Sequence, residues 1–206
     1  MKPIRFLIAD DHTIVRTGLA TLLDSEDGLE VVGEAEDGAA VLRQATKTQP
    51  DVIVMDLMMP VMDGIAATAE LHKRLPEAKV LVLTTFATSD GIVHALENGA
   101  SGALLKSAPN DELVTAIRAI AHGETFVSRE VQRLIAEDPP APRLTDRQKT
   151  ILESVTKGLS NRDIGKLLGL REDSVREHLS AVFAKLGAAT RAEAVAIALR
   201  KHLLKI

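Results

Sequence analysis

The sequence predicts a doubly wound α/β domain followed by a small all-α domain. Five short apolar runs alternate with stretches of helical spacing before residue 122, and only helical patterns follow residue 144. Between them lies the proline-rich segment Ala136–Leu144. Proline fits neither a helix interior nor a central strand, so we place the domain boundary there. The predicted parts are a first domain (1–122), a linker that is partly helical and then proline-rich (123–143), and a second domain (144–206).

Composition agrees with two domains and excludes several classes of protein. A chain of 206 residues with 46% hydrophobic content can bury two small cores. The absence of cysteine excludes disulfides and thiol chemistry. The opening "MKPIRFLIADD" is too short an apolar run for a signal peptide, and no run approaches the roughly 20 apolar residues of a membrane-spanning helix. We therefore expect a soluble, cytoplasmic protein with no membrane partner.

Charge is distributed unevenly along the chain. Residues 1–142 contain 12 Lys and Arg against 22 Asp and Glu, a net charge of −10. Residues 143–206 contain 13 Lys and Arg against 7 Asp and Glu, a net charge of +6. An acidic block joined to a basic block indicates two modules with different partners.

Five apolar runs form the predicted sheet of the first domain. They are "RFLIAD", "LEVVGEA", "DVIVMD", "KVLVLTT" and "GALLK". The stretches between them have helical spacing, as in Ile14, Leu19, Leu22 and Leu23. Apolar strands that alternate with amphipathic helices indicate a parallel sheet covered on both faces. Five such repeats in about 120 residues predict a flavodoxin-like, five-stranded sheet.

Polar residues end four of these runs. They are Asp10 and Asp11 after the first run, Asp56 after the third, Thr84 and Thr85 after the fourth, and Lys106 after the fifth. The carboxyl ends of parallel strands meet at one edge of the sheet, so these side chains are expected to converge. Three carboxylates repel one another unless a hard cation such as Mg²⁺ binds their oxygens. With a lysine and a hydroxyl, this set suits the formation of an aspartyl phosphate.

Each of these residues also has a purely structural interpretation. The two acids after the first run can cap the following helix, and Thr84 and Lys106 can belong to ordinary turns. For each residue taken singly, except Asp56, the structural interpretation is favoured. The occurrence of all of them at the ends of four strands favours a functional site. His12 is expected to pack or to lie at the surface. The six histidines show no metal-ligand spacing, so we predict no zinc site.

Four motifs of the first domain carry a family resemblance: "ADDH" at 9–12, "MDLMMPVMDG" at 55–64, "LTT" at 83–85 and "GALLK" at 102–106. Through them, residues 1–122 resemble the receiver domain of two-component response regulators. The resemblance implies that Asp56 accepts phosphate from a sensor histidine kinase and that Thr84 and Lys106 bind the phosphoryl oxygens. It implies a Mg²⁺ site made by Asp10, Asp11, Asp56 and the backbone carbonyl of Met58.

One position departs from that family. Its members commonly carry Tyr or Phe three residues before the lysine, a ring that swings inward when the threonine moves, whereas this chain has Ala103 and no tyrosine. Either another residue, such as Phe86, reports phosphorylation, or the coupling is weak. Met58 and Phe86 occupy positions that flank the approach of water in receivers. Because both are bulky and apolar, we expect slow loss of the phosphoryl group.

The second domain is predicted to contain four helices. A glycine turn at "GLR" (169–171) separates the second helix from the third, which predicts a helix-turn-helix. The helix starts are marked by a capping box of Thr145 with Gln148, by Ser160, and by a second capping box of Thr190 with Glu193. Charged helical faces are ordinarily just solvated, but a net charge of +6 beside an acidic neighbour favours a phosphate backbone as partner.

The segments "GLSNRDIGKLLGL" and "SVREHLSAVFAKLG" carry a second resemblance. From "LTDRQ" to "AEAV" the domain is similar throughout to the LuxR/FixJ-type DNA-binding domain, and both domains together resemble a NarL/FixJ-class transcription factor. The resemblance implies that His178 and Leu179 lean toward the core. It assigns DNA contacts in the major groove to Arg176, Glu177 and Ser180, contacts with phosphates to Asn161, Arg162 and Lys166, and a further place in the DNA-binding set to Lys185.

The second domain departs from the family at two positions, and its last helix carries a predicted dimerisation surface. Arg171 stands where the family usually has a capping Ser, although Glu172 and Asp173 still suit the positive end of that helix. Glu177 either accepts a hydrogen bond from a cytosine N4 amine or pairs with Arg176 or Lys185. The apolar side chains of the last helix predict a dimerisation surface, which comprises Val195, Ala198 and Leu199 with Ala194 and Ile197.

Three functions compete. The leading hypothesis is a phosphorylation-controlled, DNA-binding transcription regulator with a kinase, double-stranded promoter DNA, a second copy of the chain and RNA polymerase as partners. An alternative is a phosphorylation-independent regulator whose receiver only mediates protein contacts, which Ala103 keeps open. A haloacid-dehalogenase-like phosphatase is disfavoured, because the general acid such an enzyme needs two residues after the nucleophile is replaced by Met58. We therefore expect no enzyme.

Overall fold

The chain divides into two compact units, Met1–Pro139 and Pro140–Ile206. A computed structural model describes residues 2–85, 89–140, 144–201 and 203–204. Within these ranges, no helix is both long enough and apolar enough to cross a membrane.

The described part of the first unit contains one parallel sheet of six strands in the order β2-β1-β3-β4-β5-β6. The strands are β1 (Ile4–Ala9), β2 (Leu29–Ala35), β3 (Val52–Met55), β4 (Lys79–Thr84), β5 (Gly102–Leu105) and β6 (Phe126–Val127). The predicted doubly wound α/β fold is confirmed, but the predicted number of strands is one too low. β6 escaped prediction because two residues are too few to show a strand pattern.

Helices cover both faces of this sheet. They are α1 (Thr13–Asp24), α2 (Gly38–Thr48), α3 (Gly64–Arg74), α4 (Ser89–Glu97), α5 (Asn110–Ala121) and α6 (Arg129–Glu137). Successive residues of a strand point to opposite faces, so the strands supply two cores. Phe6 and Ile8 lie in a core with Ile117 of α5, whereas Leu7 and Ile53 lie in a second core with other helices.

The segment 123–139 belongs to the first unit, although the sequence assigned it to a linker. β6 pairs with β5, and Ser128 caps α6, since its hydroxyl accepts a hydrogen bond from the Val131 amide at 3.2 Å. Val131 is fully buried in a cluster that includes Val82 and Ala103. Since α6 is attached by its own apolar contacts, the first unit extends to residue 139 and not to 122.

The second unit contains four described helices: α7 (Asp146–Thr156), α8 (Asn161–Leu168), α9 (Glu172–Leu186) and α10 (Arg191–Arg200). Its core includes Ile151, Ile164, Val175 and Val182. The capping box of Thr145 with Gln148 is confirmed. Gly169 ends α8 in the left-handed region at φ 65°, which permits the tight turn into α9.

The second predicted capping box forms only in part. Thr190 caps α10 by accepting a hydrogen bond from the Glu193 amide at 3.1 Å. The Glu193 carboxylate, however, accepts from the amide of Ala189 at 2.8 Å and not from that of Thr190. The glutamate therefore stabilises the helix entry one residue earlier than the sequence pattern predicts.

Candidate functional site

The strand ends that carry polar residues lie side by side in the sheet. β1, β3, β4 and β5 are consecutive, and their registers pair Ala9 with Met55, Met55 with Val82, and Thr84 with Leu105. The residues that follow these strand ends therefore meet at one edge. That edge brings together Asp10, Asp56 and Lys106, with Thr84 as the last residue of β4.

Lys106 joins the two buried acids of this pocket. Its Nζ donates a hydrogen bond to Asp56 Oδ2 at 2.7 Å and forms an ion pair with Asp10 Oδ2. Asp10 is 1% exposed and Asp56 is 5% exposed, so both depend on this cation for neutralisation. Burial alone lowers the pKa of Lys106, but hydrogen bonds to Asp10 and Asp56 and the charges of both acids outweigh it and raise that pKa above its ordinary value.

Thr84 supplies a hydroxyl without a partner in the described part of the chain. The residue is fully buried, and its Oγ1 makes no hydrogen bond with any described residue. A buried polar atom without a partner is costly, and its persistence at an edge that also holds buried acids favours a functional role. The alternative of an ordinary turn hydrogen bond finds no support within those residues.

Asp11 and His12 form the rim of the pocket. His12 Nδ1 lies 2.7 Å from Asp11 Oδ1, and the His12 amide donates to Asp10 Oδ1 at 2.9 Å. Asp10, Asp11 and His12 offer ligand atoms that all lie within 4.8 Å of one another. Neither acid occupies the cap position of α1, which His12 holds without a side-chain cap hydrogen bond, although Asp10 accepts from the His12 amide at the helix entry.

His12 is the pocket residue that sequence reasoning undervalued. It was expected to pack or to lie at the surface, and its side chain is indeed 70% exposed. Its ring nevertheless contacts the Asp11 carboxylate directly. The only sequence signal for this contact is its place immediately after two acids.

The loop after β3 holds Asp56 through close backbone packing. Gly64 donates its amide to the Leu57 carbonyl at 3.0 Å, and a Cβ at Gly64 would overlap the Asp56 carbonyl oxygen. Val61 in the same loop has φ 64°, a strained value for a β-branched residue, and is 89% exposed. Met58 is 58% exposed beside Asp56, whereas Phe86, the other residue expected to flank the pocket, lies outside the described residues.

In the second unit, most of the residues assigned to DNA are exposed. Five of the assigned residues on α8 and α9 are exposed: Arg162, Lys166, Arg176, Glu177 and Ser180. Arg176 Nη1 lies 3.3 Å from Asp173 Oδ1, and no ion pair among the described residues involves Glu177. Leu179 is buried, as expected, and His178 is half-buried. Arg171 occupies the cap position before α9 and makes no side-chain cap hydrogen bond, as its departure from Ser predicts.

Two residues of the predicted DNA-binding set are half-buried and bonded within the domain. Lys185 Nζ donates to Gln148 Oε1 at 3.0 Å, which ties α9 to α7. Asn161 Oδ1 accepts from Arg191 Nη1 at 3.0 Å. Arg191 was not selected from the sequence, because its partner lies thirty positions away and no local pattern joins them.

The predicted dimerisation surface needs correction at two positions. Ala194 and Ala198 are fully buried in the core of their own domain, so they offer no surface to a partner. Val195 and Ile197 pack partly against the same core, and Leu199 is half-buried. The apolar pattern of α10 therefore reflects the core of its own domain, and Val195, Ile197 and Leu199 remain as candidates for the dimer interface.

Comparison with known families and proteins gives one consistent result. Residues 6–118 match the response regulator receiver domain, and residues 142–198 match the family described as bacterial regulatory proteins, luxR family. The oxygen regulatory protein NreC of Staphylococcus aureus (strain bovine RF122 / ET3-1) is 36% identical over 216 residues, which cover 98% of this chain and 100% of NreC.

Solved structures agree along nearly the whole chain. The response regulator ChrA of a heme-sensing two-component system is 37% identical with a TM-score of 0.61, and the match covers 99% of this chain and 100% of ChrA. A structure of two RcsB dimers bound to two parallel DNAs is 26% identical with a TM-score of 0.69, and the match covers 97% of this chain and 99% of that one.

Proposed function

The chain belongs to the response regulators, with a receiver domain and a LuxR-type DNA-binding domain homologous to phosphorylation-dependent transcription regulators, and we propose that Asp56 carries its phosphoryl group. The observation that carries this proposal is the Lys106 ammonium between the buried Asp10 and Asp56 carboxylates. Asp10 and Asp56 both directly follow interior strands, and the choice of Asp56 rests on the motif "MDLMMPVMDG" at 55–64, whose loop is closed by Gly64.

The proposed reaction is a transfer from a histidine of a sensor kinase. A carboxylate oxygen of Asp56 attacks phosphorus, a P–O bond forms, the P–N bond breaks, and its electron pair remains on the histidine nitrogen. The Lys106 ammonium then lies beside the oxygens that gain charge, and the Thr84 hydroxyl is a neutral donor for one of them. The Lys106 ammonium is already held beside Asp56, so little reorganisation of this cation is required.

The acids of the pocket suit a magnesium ion. Carboxylate and carbonyl oxygens are the ligands that hard cations prefer, and we assign this role to Asp10, Asp11, Asp56 and the backbone carbonyl of Met58. When bound, the ion supplies positive charge to the phosphoryl oxygens. Two observations fit this assignment. Ligand atoms of Asp10 and Asp11 lie close together, and the carboxylates of Asp10 and Asp56 are close enough to share the Lys106 ammonium.

For the second domain we propose sequence-specific binding of double-stranded promoter DNA. The exposed Arg176, Glu177 and Ser180 are assigned to base edges, and the exposed Arg162 and Lys166 to phosphates. Glu177 accepts from a cytosine amine in this assignment, because of its two alternative partners Arg176 pairs with Asp173 and Lys185 donates to Gln148. The DNA-bound form is proposed to be a dimer with Val195 and Leu199 at its interface. The proposed location is the cytoplasm, where the sensor kinase and RNA polymerase are its further partners.

Labelling with a small phosphodonor tests the assignment of Asp56. We expect one phosphoryl group per chain in the wild type with Mg²⁺, and none in Asp56→Asn or in the presence of EDTA. The matched control is Asp111→Asn, since Asp111 is an exposed acid at the start of α5, and its labelling should equal that of the wild type. Full labelling of Asp56→Asn would refute the proposal.

The phosphorylation-independent alternative is favoured by one observation. Ala103, at the place of the usual aromatic ring, is fully buried beneath α6, so no ring can move inward there. Gel filtration and DNA binding before and after labelling decide between the two functions. If labelling changes neither the elution volume nor the affinity for DNA, the receiver mediates protein contacts only.

A further inference from the structure

Arg191 connects three parts of the second domain through one guanidinium group. It is the first residue of α10 and is half-buried. Its Nη1 donates to Asn161 Oδ1 at 3.0 Å, and its Nη2 donates to the carbonyl oxygen of Leu159. The side chain therefore ties the start of α10 to the turn before α8 and to the first residue of α8.

The chemistry of this contact fixes the orientation of the Asn161 amide. A guanidinium only donates hydrogen bonds, so the amide must present its oxygen to Arg191. The amide NH₂ group is then directed away from the guanidinium. A phosphate group only accepts hydrogen bonds, so this is the orientation in which Asn161 is useful to DNA. Without Arg191 the amide can turn over, and either end can face outward.

The surroundings of Asn161 suit an approaching phosphate. Arg162 and Lys166 are exposed on the same helix. The one acid of the first turn, Asp163, accepts a hydrogen bond from the Ser160 hydroxyl at 2.5 Å. This hydrogen bond lowers the pKa of Asp163, and the charges of Lys166 and Arg162 act in the same direction. The Asp163 carboxylate is thus hydrogen-bonded to Ser160 and lies near the two cations Arg162 and Lys166.

We propose that Arg191 is a positioning residue for DNA binding, which holds both N–H donors of the Asn161 amide toward a phosphate without contacting DNA itself. The inference rests on the proposed role of Asn161. Two of the guanidinium's nitrogens are engaged inside the domain, and the half-burial of the side chain agrees with an indirect role. A lysine at this position carries one nitrogen in place of two and cannot reproduce the fixed fork of donors that the guanidinium presents.

A double-mutant cycle with the full-length protein and a short fluorescent duplex of mixed sequence tests this inference. We expect Asn161→Ala and Arg191→Ala each to weaken binding about fivefold, the size of one hydrogen bond. The affinity of the double mutant for DNA should equal that of the single mutant with the lower affinity, because both changes remove the same contact. The dependence of log K on log salt should stay unchanged in Arg191→Ala, since no phosphate contact of a cation is lost.

The control is Arg147→Ala. Arg147 likewise donates to a backbone carbonyl oxygen, that of Leu168 in α8 at 3.1 Å, but this hydrogen bond involves no residue assigned to DNA. It should change the thermal midpoint as Arg191→Ala does and leave the affinity for DNA unchanged. If Arg191→Ala does not fold, Arg191→Lys replaces it in the cycle, with a smaller loss expected.

The possible outcomes separate the inference from the proposal on which it rests. Additive losses together with a salt slope smaller by about 0.9 would mean that Arg191 itself contacts a phosphate, and would overturn the inference. An unchanged affinity in Asn161→Ala would overturn it as well. Failure of the wild-type protein to bind any duplex, both before and after treatment with the phosphodonor and Mg²⁺, would instead refute DNA binding as the function.

Discussion

The receiver pocket and the proposed DNA-binding face, which comprises the exposed polar side chains of α8 and α9, hold their charges in opposite ways. In the pocket, Asp10 and Asp56 are almost fully buried and share the Lys106 ammonium. On the face, Arg162, Lys166 and other cations are exposed to water. The ion pair of Arg176 with Asp173 joins side chains that are 65% and 68% exposed, so its contribution to stability is small.

This difference separates folding from binding. Buried charges require fixed partners, so the geometry of the pocket exists before any ligand arrives and contributes to the stability of the first unit. Exposed cations are solvated and release counterions when they meet a polyanion, so they contribute to affinity and little to folding. A substitution in the pocket should therefore change stability and chemistry together, whereas a substitution on the face should change binding alone.

The largest effect is expected from Lys106→Met. It leaves two buried carboxylates without their cation, so the free energy of unfolding of the first unit should fall by about 3 kcal/mol. Urea denaturation measures this change. The matched control is Lys73→Met, which breaks an ion pair with Glu70 on the surface of α3, and which should cost less than about 0.5 kcal/mol. Equal losses in the two variants would remove the distinction between buried and exposed charge.

The pH dependence of that loss sharpens the same test. The pKa of Lys106 is raised above its ordinary value of 10.5 in the folded protein. Its contribution to stability is therefore fully present below that value and is lost as the pH rises through the higher, folded-state pKa. The stability difference between wild type and Lys106→Met should stay constant from about pH 6 to about pH 9 and shrink only in stronger base. A difference that shrinks near neutral pH would contradict the raised pKa.

On the DNA-binding face, Arg176→Ala should weaken binding by about 1–3 kcal/mol on a duplex selected by the wild type, without a change in stability. Titration of a fluorescent duplex measures the loss. Arg133→Ala is the control, because Arg133 is an equally exposed arginine of α6 with an ion pair to Glu137. An equal loss on duplexes of mixed sequence would make Arg176 a contact of phosphate and not of a base.

A third substitution tests the rim of the pocket. Met58 is exposed beside Asp56 and cannot hydrogen-bond a water molecule, so Met58→Asn should speed the loss of phosphate up to about tenfold. The rate of loss from purified phosphoprotein measures it. Val61→Asn places the same side chain in the same loop and should leave the rate unchanged. If Met58→Asn also leaves it unchanged, Met58 does not limit the access of water.

The smallest effect is expected from Arg171→Ser. Arg171 occupies the cap position of α9 with extended backbone and makes no cap hydrogen bond. A serine there can accept from the first turn, so the second unit should be stabilised by about 1 kcal/mol, with the pocket unaffected. Thermal unfolding of the second unit measures the gain. A loss of stability would show that the Arg171 side chain has a stabilising role of another kind.

Residues related by secondary-structure geometry were predictable from the sequence. The strand ends could be foreseen to meet because parallel strands place their carboxyl ends at one edge of the sheet. The cap at Thr145 could be foreseen because its partner is three residues away. Contacts set by tertiary packing were not visible. The link of Arg191 to Asn161 spans two helices, and the apolar face of α10 does not reveal whether Ala198 meets the core or a partner.

The attachment of α6 decides where this protein can be divided for experiments. A fragment that ends at residue 122 would lack β6 and α6 and would expose the apolar floor around Val82 and Ala103 to water. Exposed apolar patches of that kind favour self-association. A measurement of receiver dimerisation on such a fragment would therefore detect aggregation. A fragment that ends at residue 139 keeps this surface covered, and phosphorylation or oligomerisation measured on it can be compared with that of the full chain.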